Sequence, residues 1–396
     1  MSSSCWHPAR FVRRISIVSS QRVNLLFPAL SILLLAVAAS ATAAPRWKAQ
    51  YFYDEERSSL TITALAFPSA RRGIAVGFLS EKDKTRPTAV VTSDGGLHWS
   101  LVPLKDTPLS LFFLNDTTGW LVTDKGIYRT DEAGRSWQKL SKSPRDVARV
   151  HFLDEQHGWA VGEERSVFET TNGGKEWVEV PAAAEPKTEK KNTVYNWIAF
   201  ANPQTGMIAG YSEPGRSSGT EELPDWLVPD KAAKRAEWPH LSITLDTRDG
   251  GKTWKASTVS MFGRISCIRL APSGTGLALI EFTHRFRYPC EVFRLDWKTG
   301  KSTRVFRRED RAVTDMVLLP DGSAFLGGTE AYGRLPQGPI PHKLKILRSR
   351  DLLTWRDMEV DYRATAIRVM LAAADERNVW AATDTGMILK LENPEP

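Results

Sequence analysis

Cysteine is scarce in this sequence, with 3 among 396 residues: Cys5, Cys267 and Cys290. This scarcity excludes a disulfide-rich scaffold and the paired C-x-x-C motifs of structural zinc sites. The His-Glu-x-x-His motif, the Walker loop and the Gly-x-Ser-x-Gly elbow are also missing. His151 and His157 flank a predicted turn, where we expect surface residues rather than metal ligands. The sequence therefore predicts no metal site, no cofactor and no catalytic residue.

A large excess of positive charge is absent once the N-terminal segment is set aside. The sequence contains 53 Lys plus Arg and 46 Asp plus Glu. Four of the arginines, and none of the acidic residues, lie in residues 1–43, so 49 basic residues face 46 acidic ones in the remainder. This near balance gives no support to nucleic-acid binding.

Residues 1–43 have the pattern of a secretory signal peptide. The arginines precede an apolar core at 25–39, and Ala41-Thr42-Ala43 forms an A-x-A cleavage site. The alternative is a membrane anchor, but the core contains Pro28 and is shorter than the span of about 20 residues that a bilayer requires. No cysteine follows the core, which argues against a lipoprotein. We expect a periplasmic or secreted mature chain without a transmembrane span.

One pattern recurs seven times along residues 44–396: an apolar stretch, a short polar turn and a second apolar stretch. Two copies are Ser110-Leu-Phe-Phe113 before Gly119-Trp120 and Arg149-Val-His-Phe152 before Gly158-Trp159. Repeats of about 40 to 50 residues built from short strands are typical of β-propellers. The pattern therefore predicts an all-β, seven-bladed β-propeller.

A second motif ends in tryptophan and predicts a tight turn. Copies at 92–99, 130–137, 170–177 and 247–254 place Thr seven residues and Gly three residues before Trp, and a copy at 349–355 lacks the Gly. An Asx side chain accepts backbone N–H groups, and Gly supplies the positive φ of the turn. The predicted structural residues are Asp94, Gly96, Trp99, Glu132, Gly134, Trp137, Asn172, Gly174, Trp177, Asp249, Gly251, Trp254, Asp351 and Trp355.

These segments resemble the Asp-box, or BNR, repeat. Propellers with this repeat include sialidases, other glycoside hydrolases, sortilin-type receptors and the photosystem II stability and assembly factors. A Gly-Trp pair that opens the second strand of a repeat, with an Asp box after it, is most similar to the assembly-factor group and its relatives in non-photosynthetic bacteria. The resemblance implies a scaffold for protein partners, although unrelated activities share these turns. We therefore predict a non-enzymatic, exported scaffold that binds a protein of the envelope or exterior and is itself a monomer.

The two ends of the repeat region predict how the ring closes. The last unit has only three strands, at 366–371, Val379–Thr383 and Met387–Glu392. Residues 46–54 precede the first repeat and have the composition of a strand. We expect this N-terminal strand to complete the seventh blade, because that pairing removes two exposed edges.

The longer insertions predict which face binds a partner. In a blade with strands a to d, loops a–b and c–d share one face, and loops b–c and d–a share the other, called here the b–c face. The Asp boxes connect c to d, whereas insertions at 80–87, 212–241, 283–289 and 329–343 connect b to c. Binding residues concentrate in loops on a rigid scaffold, and Arg and aromatic side chains anchor interfaces. The candidate partner-binding residues are Arg86, Trp226, Arg235, Trp238, His284, Arg285, Arg287, Tyr288, Tyr332 and Arg334.

Two alternatives stay open at this point. The insert tryptophans can instead pack as a lid over the propeller mouth, with the charges solvated. A sialidase or other glycoside hydrolase is the alternative function. Arg149, Arg269 and Arg368 lie on predicted strands a, as a sialidase triad would require, but the strand period does not decide where they point. The Phe-Arg-Ile-Pro signature of sialidases is missing near the N-terminus.

Cys267 and Cys290 are predicted on strands a and c of one blade. Two strand spacings come to about 10 Å, which exceeds ordinary disulfide geometry. Both a disulfide and a pair of free, partly buried thiols stay open, and the spacing favours the thiols.

Overall fold

A computed structural model of the chain describes residues 44–213, 239–282, 286–330, 342–361 and 363–394. The described strands form seven sheets around one axis, six of them four-stranded and the seventh five-stranded. The predicted seven-bladed, all-β propeller is thereby confirmed. Among the residues that the structure describes, no helix has the length and apolar character needed to cross a bilayer.

Each of the first six blades is an antiparallel sheet of four consecutive strands. Blades one and two comprise β2 (Ser58–Ala66), β3 (Gly73–Glu81), β4 (Lys84–Thr92), β5 (Ser100–Pro103), β6 (Pro108–Phe113), β7 (Gly119–Thr123), β8 (Gly126–Thr130) and β9 (Gln138–Lys139). Blades three and four comprise β10 (Val147–Phe152), β11 (Gly158–Gly162), β12 (Val167–Thr170), β13 (Val178–Glu179), β14 (Thr193–Phe200), β15 (Gly206–Ser212), β16 (His240–Thr247) and β17 (Lys255–Met261). Blades five and six comprise β18 (Arg264–Leu270), β19 (Thr275–Glu281), β20 (Cys290–Asp296), β21 (Lys301–Arg307), β22 (Ala312–Leu318), β23 (Ala324–Thr329), β24 (Leu344–Ser349) and β25 (Arg356–Asp357).

The N-terminal strand closes the ring as the sequence predicts. Strand β1 (Arg46–Phe52) pairs antiparallel with β29 (Met387–Glu392), which continues through β28 (Val379–Thr383) to β27 (Val369–Ala373). Trp47 of β1 is 1% exposed. A fifth strand, β26 (Glu359–Val360), adds in parallel to the outer side of β1. Strand β27 begins later than predicted, because the backbone N–H of Ala366 binds the carbonyl of His342 in the preceding blade.

Aromatic side chains join the blades on the Asp-box side of the ring. Trp120 of β7 stacks on Phe152 of the next blade, with centroids 3.7 Å apart. The Asp-box Trp177 then meets the same phenylalanine edge-on at 6.2 Å. Trp159, Phe200 and Trp254 repeat this arrangement between blades three and four. The Asp-box tryptophans therefore act in the blade interfaces, where large apolar side chains contribute most to stability.

A β-bulge interrupts the inner strand of each of the first six blades. The register against strand b shifts once per blade, at equivalent positions. The residue after the bulge reaches across to the next blade. Ser110 Oγ, for example, donates to the Ala148 carbonyl at 2.7 Å, and Trp197 Nε1 donates to the Ile268 carbonyl at 2.8 Å. Bulges of this kind redirect side chains, and here they place polar groups around the central channel.

Candidate functional site

The Asp boxes connect strand c to strand d and form tight turns. Thr92 Oγ1 accepts the backbone N–H of Gly96 at 2.9 Å, and Asp94 Oδ1 accepts that of His98 at 3.0 Å. These bonds to His98, first from its backbone and then from its ring, hold the pKa of Asp94 far below its usual range. Gly96 has a φ of +93°, and Trp99 Nε1 donates to its carbonyl at 3.1 Å. The Thr92 and Asp94 side chains therefore stabilise the turn itself.

The other copies repeat this geometry with small departures. Asn172 and Asp249 each accept a backbone N–H four residues later, at 2.9 Å. Asp351 accepts two backbone N–H groups, although its copy lacks the Gly. Glu132 is longer, and its carboxylate accepts the Ser136 hydroxyl instead. Phe113 lies edge-on against Trp137, and Phe306 lies edge-on against Trp355, as described for Trp177. The remaining turn residues are Gly134, Gly174, Gly251 and Trp254, and the three glycines have a positive φ.

Most of the candidate partner-binding residues lie outside the described part of the chain. They are Trp226, Arg235, Trp238, His284, Arg285, Tyr332 and Arg334. Arg86 is described and lies in β4, where it forms a surface ion pair with Glu81 at 3.7 Å. The prediction of an inserted loop at 80–87 is wrong. Strands β3 and β4 pair as far as Glu81 and Lys84, because regular backbone pairing extends the hairpin almost to its tip.

Arg287 and Tyr288 lie together at the rim of the b–c face on blade five. Arg287 forms an ion pair with Glu309. The guanidinium of Arg307 lies 4.7 Å from the centre of the Tyr288 ring, and that of Arg287 lies 5.8 Å away. These contacts place both residues in one cationic and aromatic patch. Arg86 lies on blade one, so the described candidates do not form a single site.

The structure gathers a second group of residues, most of which lie on the inner strands of the blades. We call this the channel cluster: Arg149, Asn196, Trp197, Ser266, Arg269, Glu281, Asp315 and Arg368. Arg149 lies over the Trp197 ring at 3.8 Å, and Arg269 lies over the same ring at 5.0 Å. Arg269 also binds Asp315 at 3.0 Å. Burial, followed by the charge of Arg269, lowers the pKa of Arg149 to about 10.

Three buried oxygen atoms of the channel cluster form no close, well-aligned hydrogen bond among the described residues, although the Ser266 hydroxyl lies near enough to the Glu281 carboxyl group to offset part of the rise in pKa that burial causes there. They are Asn196 Oδ1, Ser266 Oγ and Glu281 Oε1. Asn196 and Ser266 are the extra residues of the bulges in blades four and five. Glu281 lies 3.9 Å from Arg368, and burial raises the pKa of its carboxyl group. Buried polar groups in native proteins are usually hydrogen-bonded, to protein atoms or to water, so these oxygens are free to accept hydrogen bonds from water or from a ligand.

The structure shows the environment of the three arginines that the sequence places on strands a. Arg149 and Arg269 are half-buried and pack on Trp197, whereas Arg368 precedes β27 and its side chain is 60% exposed. Strands a start at the b–c face, so Arg368 and Ser266 lie towards its mouth. Sequence reasoning missed Asn196, Ser266, Asp315 and Glu281. For the first three, the available signal was a polar residue within an otherwise apolar inner strand; Glu281 ends strand b of blade five.

Two other predictions have clear outcomes. His151 is not a surface residue, since its ring lies between Phe112 at 4.7 Å and Phe200 at 5.1 Å. It sits two positions after Arg149, on the same side of the strand, and therefore enters the interface between blades. Cys267 and Cys290 are both free and buried, so the structure contains no bond between them.

Comparison with known proteins identifies the type of propeller. The family model for "Photosynthesis system II assembly factor YCF48" matches residues 141–214. The photosystem II assembly lipoprotein Ycf48 of Synechococcus sp. is 24% identical over 209 residues, which cover 48% of this chain and 58% of that protein. The chain resembles the photosystem II assembly-factor propellers. It spans little more than half the length of this curated relative.

Solved structures agree with this resemblance at the level of fold. A structure described as "YCF48 bound to D1 peptide" has a TM-score of 0.56 at 15% identity, covering 87% of this chain and 96% of that one. A GH74 xyloglucanase from Xanthomonas campestris has a TM-score of 0.58 at 10% identity, covering 87% of this chain and 53% of the enzyme. At such identities, the likeness shows the propeller fold alone.

Proposed function

We propose that this chain is an exported, non-enzymatic propeller scaffold that binds an extended segment of a protein partner at its b–c face. The observation that carries the proposal is the channel cluster, where Asn196 Oδ1, Ser266 Oγ and Glu281 Oε1 are buried without close hydrogen-bond partners and the guanidinium of Arg368 lies 3.9 Å from Glu281. The resemblance to the assembly factors supports it, since a propeller of this type holds a peptide in a solved structure.

The chemistry of the channel cluster favours a peptide as the ligand. Asn196 Oδ1 and the Glu281 carboxyl oxygen accept hydrogen bonds, which the N–H groups of a peptide backbone supply. Arg368 and Arg149 attract carboxylates, which acidic side chains supply. Each buried polar group left unsatisfied costs about 1–3 kcal/mol. A ligand with both N–H donors and negative charge therefore recovers more free energy here than an apolar molecule.

Export is the second part of the proposal. It rests on the signal-peptide pattern of residues 1–43, which lie outside the described part of the chain. The curated relative from Synechococcus sp. is named a lipoprotein, and a lipoprotein is likewise an exported protein. A mature chain in the periplasm or outside the cell would meet partners of the envelope.

Charge reversal on opposite faces tests the proposal. We expect Arg368→Glu to reduce at least tenfold the amount of partner recovered with the affinity-tagged chain from envelope extracts of its host. Lys252→Glu is the control, because Lys252 is an exposed residue of an Asp-box turn on the opposite face. Both variants should melt at the temperature of the unchanged chain. Equal recovery with both variants, or hydrolysis of a glycan that Glu281→Gln abolishes, would overturn the proposal.

A further inference from the structure

The outer edges of the seven blades differ in how well they are protected. An exposed edge strand offers unpaired N–H and C=O groups to any other extended chain, and proteins usually block such edges. Short strands, proline, cationic side chains and a covering segment are the common means. All seven outer strands fall within the described residues.

Six of these edges are blocked by one of those means. Strands β9, β13 and β25 have only 2 residues each. Strand β5 has 4 residues and ends in Pro103. Strand β21 carries Lys301, Arg304 and Arg307. Strand β1 pairs with β26 at Arg46 and Trp47, and Lys48 and a bulge before Tyr51 protect the rest of its edge.

The edge of β17 on blade four is the exception. This strand has 7 residues, Lys-Ala-Ser-Thr-Val-Ser-Met, and pairs with β16 along its whole length. It is the last strand of its sheet, and no described residue outside the sheet forms a backbone hydrogen bond with it. It contains no proline and a single charge, at Lys255. Val259 in its centre is 59% exposed.

The nearest neighbour of β17 does not cover this edge. A short 3-10 turn, Pro181–Ala184, contacts β17. Ala183 of that turn accepts the Tyr195 hydroxyl at 3.0 Å and packs with Ile243 and Leu245. The turn therefore lies against the face of blade four that meets blade three, and none of the described residues covers the edge.

We propose that the edge of β17 binds an extended, uncharged segment of the protein partner as a fifth strand of blade four. This inference rests on the proposed function, in that the partner is a protein. Every second residue of an edge strand directs its N–H and C=O outward, and only another peptide backbone matches that spacing. The partner segment therefore adds by main-chain hydrogen bonds.

Blade seven shows that this architecture accepts a fifth strand. Arg46 and Trp47 of β1 pair with Glu359 and Val360 of β26, and the Asp361 N–H binds the Trp47 carbonyl at 3.0 Å. There the added strand comes from the chain itself. The edge of β17 offers the same backbone pattern over a longer stretch.

The side chains of β17 specify the segment further. Val259 pairs with Ser242, and Thr258 pairs with Ile243, so the two side chains point to opposite faces of the sheet. A β-branched apolar residue beside Val259 would cover its exposed surface, and Thr or Ser suits the side of Thr258 and Ser260. Cross-strand pairs of these types each contribute about 0.2–1 kcal/mol. An alternating Thr-Val segment therefore fits both faces.

A synthetic peptide tests the inference directly. The probe is a fluorescein-labelled, acetylated Thr-Val-Thr-Val-Thr-Val-Lys peptide, and its binding to the full chain is followed by fluorescence anisotropy. We expect Val259→Lys to weaken binding at least tenfold, because a charged side chain blocks the edge. Thr303→Lys is the matched control, since Thr303 is exposed on the outer strand of blade five. Two further probes carry N-methyl groups on either the Thr or the Val amides, and only one of them should lose binding.

Three outcomes would overturn the inference. The first is equal binding of both N-methylated probes, and the second is unchanged probe binding by Val259→Lys. The third is a dimer of the chain in analytical ultracentrifugation that Val259→Lys dissociates, because a second copy of the chain would then occupy the edge. Partner recovery with Arg368→Glu separates this inference from the proposed function. If recovery depends on Arg368 while the probe does not bind, the edge proposal fails and the function stands. If the probe binds while recovery ignores Arg368, the proposed binding face fails and the edge is supported.

Discussion

Trp380 and Phe67 stack face to face where the ring closes, with centroids 3.6 Å apart and planes inclined by 4°. Trp120 and Phe152 stack in the same way between blades two and three, at 3.7 Å and 6°. The seam between blades seven and one is therefore built like an ordinary blade interface. This matters because the seam joins strands from opposite ends of the chain.

The seam should consequently be as sensitive to truncation as an interior interface. Trp380→Ala removes a side chain that is 0% exposed, and we expect it to lower the free energy of unfolding by about 3–5 kcal/mol. Trp120→Ala, equally buried, is the matched variant and should cost a similar amount. Urea denaturation followed by tryptophan fluorescence measures both. A near-zero loss for Trp380→Ala alone would show that the seam is weaker than the other interfaces.

An Asp-box glycine should be needed for space as well as for its backbone conformation. Gly251 has a φ of +85°, and an added Cβ would lie 2.2 Å from the Trp159 ring. Gly300 has a φ of +71° with nothing within 4 Å of an added Cβ. We expect Gly300→Ala to cost about 1 kcal/mol from backbone strain alone. Gly251→Ala should lower the free energy of unfolding clearly more than Gly300→Ala, as measured by urea denaturation. Equal losses for the two variants would contradict a clash with the Trp159 ring.

His151, half-buried between two aromatic rings, should make the free energy of unfolding depend on pH. Burial lowers its pKa to about 4, whereas an unfolded histidine titrates near 6.5. Between these two pH values the unfolded chain binds a proton that the folded chain does not. The contribution of neutral His151 to the free energy of unfolding is therefore complete above pH 6.5 and is lost as the pH falls towards 4. His151→Phe keeps a ring between Phe112 and Phe200 and should flatten the decline in unfolding free energy from pH 7 to pH 4.5. An unchanged slope would show that other groups cause the decline.

The proposed export makes a prediction about the mature N-terminus. Cleavage after Ala41-Thr42-Ala43 would leave Ala44 as the first residue. N-terminal sequencing of the chain recovered from the host's periplasm or medium should therefore begin at Ala44. Recovery of a full-length chain in the cytoplasm would contradict export.

The sequence predicts the fold well because the deciding interactions are local. The alternation of apolar residues and the Thr-Asx-Gly-Trp turns predict the strands and the blade count, and the unpaired strand predicted at residues 46–54 indicates how the ring closes. The fifth strand β26 has only 2 residues and carries no such signal.

The channel cluster was harder to predict because a bulge adds one residue to each inner strand. Ser266 shifts the register between Ile265 and Cys267, so the alternation before it does not predict the direction of Arg269 after it. The burial of His151 escaped prediction for the same reason, since Ala148 is the extra residue of its strand. Which polar atoms lack partners depends on contacts between blades, and no single repeat contains that information.

A photo-cross-linking comparison tests the central claim that the b–c face is the working surface. Ile367 lies next to Arg368 on the b–c face and is 66% exposed, whereas Leu97 lies in an Asp-box turn on the opposite face and is 75% exposed. Each is replaced separately by a benzophenone-bearing amino acid in the chain expressed in its host. We predict a specific protein adduct from position 367 and none from position 97. An adduct from position 97 without one from position 367 would contradict the claim.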